Sequence, residues 1–124
     1  MGSYFSHGFT KEQLEMALVK AKAIVNSNPV VVFSKTYCGY CKRVKQLLTQ
    51  LGARYKVVEL DGEADGGELQ EALGEWTGQK TVPNVFIGGK HIGGCDAVLE
   101  KHQSGQLLLL LKEAGAVASN PVSA

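Results

Sequence analysis

Two cysteines separated by two residues, Cys38 and Cys41, carry the strongest chemical signal in the chain. They follow a β-branched and aromatic run at residues 30–33 and precede a helical periodicity that begins near Val44. Cys38 should therefore lie at the first turn of a helix, where free N–H groups and the helix dipole stabilise a thiolate. A helical Cys41 would lie beneath it, close enough to form or open a disulfide. The spacing predicts reversible thiol–disulfide chemistry.

Basic residues surround the cysteine pair. Lys35 precedes it, and Lys42 and Arg43 follow it. Positive charge there would favour both a thiolate and an anionic thiol partner. Each of these side chains, taken alone, is equally explained as a solvated surface charge. Lys35 has the strongest claim to a functional role because of its place in the motif.

A CxxC pair can also form half of a zinc site. Such a site needs four thiolate or imidazole ligands. The remaining candidates are Cys95, His7, His91 and His102, and there is no second CxxC. A site of three cysteines and one histidine is arithmetically allowed, but the strand–CxxC–helix context is typical of thioredoxin-like redox motifs. Redox chemistry is therefore favoured over zinc binding.

Composition excludes several other functional classes. The chain has 124 residues, with 13 Lys plus Arg against 12 Asp plus Glu and a net charge of +1. It lacks the basic surface expected of a nucleic-acid binder, and three cysteines do not make a secreted disulfide scaffold. The longest apolar run, residues 107–111, is far shorter than the ~20 residues of a membrane span. Because no leader is legible in residues 1–10, we expect one soluble domain in the cytoplasm.

The first half of the chain predicts alternating helices and strands. Thr10 and Gln13 have the spacing of a capping box, which begins an amphipathic helix that ends before Asn28. A buried strand at 30–33, a helix over 44–51 and a strand at 55–60 follow in the predicted order. A strand–helix–strand unit of this length predicts a parallel pair of strands.

The second half adds an antiparallel hairpin and three helices. The predicted elements are a helix over 69–76 ended by Gly78, strands at 84–87 and 90–92 joined by Gly88 and Gly89, a short helix from Asp96 to Gln103, and a last helix over 107–114. We therefore expect an α/β fold with a small mixed sheet covered by helices.

Three separated segments together resemble one known family. They are the run Val-Val-Val-Phe-Ser-Lys-Thr-Tyr-Cys-Gly-Tyr-Cys at 30–41, Thr81-Val82-Pro83, and Gly93-Gly94-Cys95-Asp96. In this order they resemble the glutaredoxins, and the CGYC motif resembles the plant class I dithiol members. The resemblance implies a thioredoxin-like fold, in which helices flank a mixed four-stranded sheet. It covers residues 10–115, which leaves flexible ends at 1–9 and 116–124.

The resemblance also implies an activity and a set of ligand-binding residues. Cys38 and Cys41 would be the catalytic pair of a glutathione-dependent oxidoreductase, and the bond before Pro83 would be cis. Lys35 and Gln70 would hold the glycine carboxylate of glutathione, Val82 would pair with its backbone, and Tyr40 would flank its sulfur. The full set implied for glutathione is Lys35, Tyr40, Gln70, Val82, Pro83, Gly94, Cys95 and Asp96, the last three at the γ-glutamyl end. Such a peptide needs a cation at one end and a carboxylate at the other.

Several of these residues have a simpler structural interpretation. Gln70 is also explained as an exposed helix residue, Asp96 as a helix N-cap, and Cys95 as a small apolar side chain. The two roles of Asp96 are compatible. We expect Tyr37 and Trp76 to pack rather than to bind a ligand.

Gly39 stands where the commonest dithiol motif of the family has proline. Glycine leaves the loop free to rearrange around a bulkier thiolate ligand. The resemblance then implies a 2Fe-2S cluster held by a homodimer, in which each subunit gives Cys38 and two glutathione molecules give the other thiolates. The alternative to a reductase is therefore an iron–sulfur carrier or redox sensor, whose enzyme activity is silenced while the cluster occupies Cys38.

Gly2 and Ser6 fit the pattern for N-myristoylation. A Met-Gly-Ser recombinant leader fits the same pattern by accident. A single acyl chain gives only weak, reversible membrane binding. We therefore expect at most a weak membrane association in addition to the cytoplasmic location.

Overall fold

The computed structural model describes residues 8–118. Its helices are α1 (Lys11–Asn26), α2 (Gly39–Gln50), α3 (Gly66–Thr77), α4 (Cys95–Gln103) and α5 (Gln106–Glu113). Its strands are β1 (Val30–Ser34), β2 (Lys56–Glu59), β3 (Asn84–Ile87) and β4 (Lys90–Gly93), and a 3-10 turn (Leu60–Gly62) follows β2. Every helix and strand predicted from the sequence is confirmed, with boundaries that shift by a few residues.

The strands form one mixed sheet in the order β2-β1-β3-β4. β1 is parallel to β2 and antiparallel to β3, and β4 extends the sheet as the second strand of the hairpin. All five residues of β1 are buried. The mixed four-stranded sheet is therefore confirmed, and its central strand leads directly into the cysteine loop.

Side chains of β1 alternate between two hydrophobic layers. Val31 and Phe33 face α1 and α3, whereas Val30 and Val32 face α2, α4 and α5. Because successive strand residues point to opposite faces, a continuous apolar run is buried on both sides of the sheet. This burial holds the end of β1, and so the start of the cysteine loop, in a fixed place.

The N-cap of α1 is the residue that the sequence predicts, whereas the N-cap of α4 is not. Thr10 makes the predicted capping box with Gln13. The expected N-cap role of Asp96 is wrong, because α4 begins at Cys95 with Gly94 as its N-cap. Asp96 instead lies in the first turn of α4, where a carboxylate interacts favourably with the helix dipole.

Phe9 and Ala116, near the two ends of the described residues, both contact the rest of the chain. Phe9 lies over Gly67, where an added Cβ would come within 2.9 Å of the ring. Ala116 is buried, donates its N–H to the Leu111 carbonyl and accepts the N–H of Arg54. The myristoylation pattern at Gly2 lies outside the described residues.

Within residues 8–118, every helix is too short or too polar to cross a lipid bilayer.

Candidate active site

Cys38 is the N-cap residue of α2. Its Sγ accepts the N–H of Cys41 at 3.2 Å, and its own N–H donates to the Lys35 carbonyl at 3.0 Å. Cys38 is half-buried, whereas Cys41 is fully buried one turn below it. A thiol partner can therefore reach the first sulfur directly but can reach the second only through the first.

The segment before β3 faces the sulfur of Cys38. The Cys38 Sγ lies 3.8 Å from the Val82 carbonyl oxygen, and the bond between Val82 and Pro83 is cis, as the resemblance implied. The amide of Gln79 donates to the carbonyl groups of Thr81 and Pro83, at 3.2 and 3.0 Å. The side chain of Gln79 thus supports this segment, a role that the sequence analysis missed.

An open cavity of about 720 Å³ lies beside this segment. It brings together most of the residues implied for glutathione, namely Tyr40, Val82, Pro83, Gly94, Cys95 and Asp96. Its size lies within the range of about 300–1,000 Å³ that is usual for small-molecule sites. The cavity is therefore large enough for a small peptide bound along the Val82-Pro83 segment.

The other two implied residues, Lys35 and Gln70, line a separate cavity of about 380 Å³. Gln70 donates its amide to the carbonyl of Lys80 at 2.8 Å. The Lys80 ammonium, which lines the same cavity, lies 3.0 Å from the buried carboxylate of Glu71. Two lysines against one carboxylate leave this cavity with a net positive charge. Sequence analysis overlooked Lys80, although it directly precedes the Thr81-Val82-Pro83 motif.

Two tyrosines flank the cysteine loop at the surface. Tyr37 is 71% exposed and Tyr40 is 64% exposed. The expectation that Tyr37 is a packing residue is therefore wrong, because most of its side chain is exposed to solvent. The corresponding expectation for Trp76 is confirmed, since its ring stacks on Phe86 with centroids 4.9 Å apart.

The three cysteines differ in how deeply they are buried, and burial affects the pKa of a thiol. Burial is the main cause that raises the pKa of Cys41, and a hydrogen bond with Cys38 raises it further. Burial also raises the pKa of Cys95. Cys41 and Cys95 therefore remain neutral thiols near pH 7, and Cys38 is the most accessible of the three sulfurs.

Comparison with known proteins finds a matching family model and similar chains. A family model described as Glutaredoxin matches residues 30–92. Glutaredoxin-C1 of Arabidopsis thaliana is 66% identical over 121 residues, which are 97% of this chain and 97% of that protein.

Two solved structures superpose closely on the chain. A buckwheat glutaredoxin–glutathione complex is 68% identical with a TM-score of 0.88, covering 89% of this chain and 100% of that chain. The holo form of glutaredoxin C1 from Populus tremula x tremuloides is 68% identical with a TM-score of 0.83, covering 87% and 97%. The chain therefore belongs to the glutaredoxin family, the glutathione-dependent thiol–disulfide oxidoreductases of thioredoxin-like fold.

Proposed function

We propose that this glutaredoxin reduces protein–glutathione mixed disulfides at Cys38 and reduces protein disulfides with Cys38 and Cys41 together. One observation carries the proposal. The half-buried Cys38 sulfur lies at the start of α2, 3.8 Å from the Val82 carbonyl, beside an open cavity of peptide size. The glutathione complex of the similar buckwheat protein supports glutathione as the occupant.

The reaction runs in two balanced exchanges. The Cys38 thiolate attacks the glutathione sulfur of the mixed disulfide, the old S–S bond breaks, and the protein thiolate leaves and takes up a proton. The thiolate of a second glutathione then attacks the glutathione sulfur now bound to Cys38. Glutathione disulfide leaves, and the Cys38 thiolate is restored. The second glutathione is the reductant: its thiolate supplies the electron pair of the new S–S bond, and the protein thiolate has left with the pair of the bond that broke.

The proposed contacts match the charges at the two ends of glutathione. The backbone of Val82 would pair with the tripeptide, with Tyr40 beside its sulfur, while Lys35 and Gln70 would hold the glycine carboxylate. At the other end, no described side chain caps α4, so the N–H groups of its first turn are free to bind the γ-glutamyl carboxylate. Asp96, in that same turn, would accept the ammonium group.

A pair of matched substrates tests this function. One protein with a single thiol is prepared as its glutathione mixed disulfide and as its cysteine mixed disulfide. We expect kcat/KM to be at least about tenfold higher for the glutathione form, because only glutathione reaches both charged ends of the site. The rates are measured by mass spectrometry of the released protein. Equal rates for the two forms would show that this site does not recognise glutathione.

We propose cluster binding by a homodimer as a second function. Cys38 is accessible, Cys41 is buried, and a Cβ added at Gly39 would meet nothing within 4 Å. One subunit thus offers one thiolate at an open surface, and residues 8–118 contain no group of three His, Cys, Asp or Glu that could hold a metal alone. These donors fit a 2Fe-2S cluster completed by a second subunit and two glutathione molecules. The similar Populus protein is known in a holo form.

Anaerobic reconstitution with iron, sulfide and glutathione tests this second function. We expect a coloured dimer from the wild type and from Cys41→Ser, and a colourless monomer from Cys38→Ser. The measurements are the visible spectrum, iron and sulfide content, and mass by size-exclusion chromatography. A colourless wild-type monomer would exclude cluster binding.

We further propose that the protein works in the cytoplasm on glutathionylated and disulfide-containing proteins. A dithiol that must be returned to its reduced state suits a compartment with a reducing glutathione pool. A mass spectrum of Gly2 from the native source distinguishes an acylated from an unmodified N-terminus.

A further inference from the structure

The loop between β1 and α2 is tied to the turn that follows β2. In the parallel pair, Ser34 is in register with Glu59. Two residues beyond the end of each strand, Thr36 and Asp61 meet. The Thr36 N–H donates to Oδ1 of Asp61 at 3.1 Å, and the Thr36 hydroxyl donates to Oδ2 of the same carboxylate.

This contact fixes a peptide unit inside the active-site loop. The unit between Lys35 and Thr36 is planar. Its N–H is held by Asp61, and its carbonyl accepts the N–H of Cys38 at 3.0 Å. The plane therefore cannot rotate without breaking a bond at one end, and the direction of the adjacent Lys35 is set with it.

Hydrogen bonds within α2 hold Cys38 in place, whereas fewer hydrogen bonds hold Lys35. The carbonyl of Cys38 accepts the N–H of Lys42 at 3.2 Å, and its sulfur accepts the N–H of Cys41, so the first turn of α2 holds it. Lys35 lies outside every helix and strand. Loss of the contact with Asp61 should therefore displace Lys35 more than the Cys38 sulfur.

The Asp61 carboxylate is charged under working conditions. The hydroxyl of Thr36, then its N–H, lower the pKa of Asp61, and the nearby charge of Lys35 adds to the effect. Asp61 itself lines neither of the two cavities at the site.

We propose that Asp61 is a positioning residue, which holds Lys35 toward the glycine carboxylate of glutathione through its two hydrogen bonds with Thr36. The inference rests on the proposed role of Lys35. Asp61 lines neither cavity and bonds to Thr36, so its effect should appear in the binding of the glutathionylated substrate and not in the reactivity of Cys38.

Substitutions at Thr36 test this without changing any charge. Thr36→Val removes the hydroxyl and keeps the backbone N–H, whereas Thr36→Ser keeps both donors. We expect Thr36→Val to raise the KM for the glutathionylated substrate about fivefold with kcat within about twofold, and Thr36→Ser to behave as the wild type. Asp61→Asn should raise KM in the same way. The double variant should be no worse than the more severe single variant, because both remove the same contact.

Three controls make the result decisive. Glu63→Gln removes a negative charge from the same segment, where the Glu63 carboxylate faces the Lys20 ammonium at 3.8 Å, and it should leave KM unchanged. Alkylation of Cys38 by iodoacetamide without glutathione should stay within about twofold in every variant, because the first turn of α2 holds the sulfur. In a Lys35→Met background, Thr36→Val should have no further effect on KM.

The outcomes separate the two proposals. If Lys35→Met raises KM and Thr36→Val does not, the role of Asp61 is refuted while the glutathione site stands. If Lys35→Met leaves KM unchanged, the role of Lys35 fails and the role of Asp61 fails with it. A rise in KM that persists in the Lys35→Met background, or that is matched by Glu63→Gln, also refutes positioning through Lys35.

Discussion

Replacing Cys38 by serine is expected to lower both the reduction of protein–glutathione mixed disulfides and the reduction of protein disulfides by more than about a thousandfold. A serine hydroxyl is not ionised near neutral pH, and its oxygen cannot form the disulfide intermediate. No other sulfur can replace Cys38, since Cys41 and Cys95 are both buried and both remain thiols. Initial rates on a glutathionylated protein and on a protein with one disulfide measure the loss.

The fold should survive this substitution, which makes the activity loss interpretable. Cys38 is the N-cap of α2 and accepts the N–H of Cys41 through its side chain. Serine is among the most favourable N-cap residues and can accept the same hydrogen bond. Thermal unfolding of Cys38→Ser should therefore have a midpoint equal to or above that of the wild type. Glutathione-dependent turnover above about one hundredth of the wild-type rate would contradict the proposed nucleophile.

Cys41→Ser is expected to separate the two reactions. Reduction of a protein disulfide should fall by more than about a hundredfold, because only Cys41 is placed to attack the mixed disulfide that Cys38 forms with the protein. Deglutathionylation should stay within about threefold of the wild type, because a second glutathione performs that release. The same two substrates measure the split. Equal losses in both reactions would show that Cys41 supports the structure of the site and not the second exchange.

The raised pKa of Cys41 adds a pH signature to this split. Burial is the main cause of the shift, and it persists when Cys38 is joined to the substrate in a mixed disulfide. The attacking species is the thiolate. At pH values below the pKa of Cys41, its ionised fraction rises about tenfold for each unit by which the pH is raised. Where this exchange limits the rate, protein disulfide reduction should accelerate between pH 7 and 8. A rate that is independent of pH in single-turnover measurements would contradict the neutral thiol assigned to Cys41.

Local sequence determined the elements that carry the reactive sulfur. The run at residues 30–33 is buried on both faces of the sheet, and the capping box at Thr10 forms as its spacing predicts. Each of these signals arises from residues a few positions apart, whose periodicity or side-chain hydrogen bonds act within one element. The position of Cys38 at the start of α2 follows from the same local signals, so sequence sufficed to locate the nucleophile.

Contacts between distant segments were decided by the tertiary structure alone. No local pattern in the sequence singles out Asp61, but the parallel register of β1 and β2 brings it to Thr36, which lies 25 positions away. The sequence assigns Gly66 no particular role, but a Cβ there would lie 1.8 Å from the Leu60 carbonyl oxygen, because α3 begins against the turn after β2. No local period encodes such pairings. They form only after the strands of the sheet have paired, because the pairing determines which strand ends lie side by side.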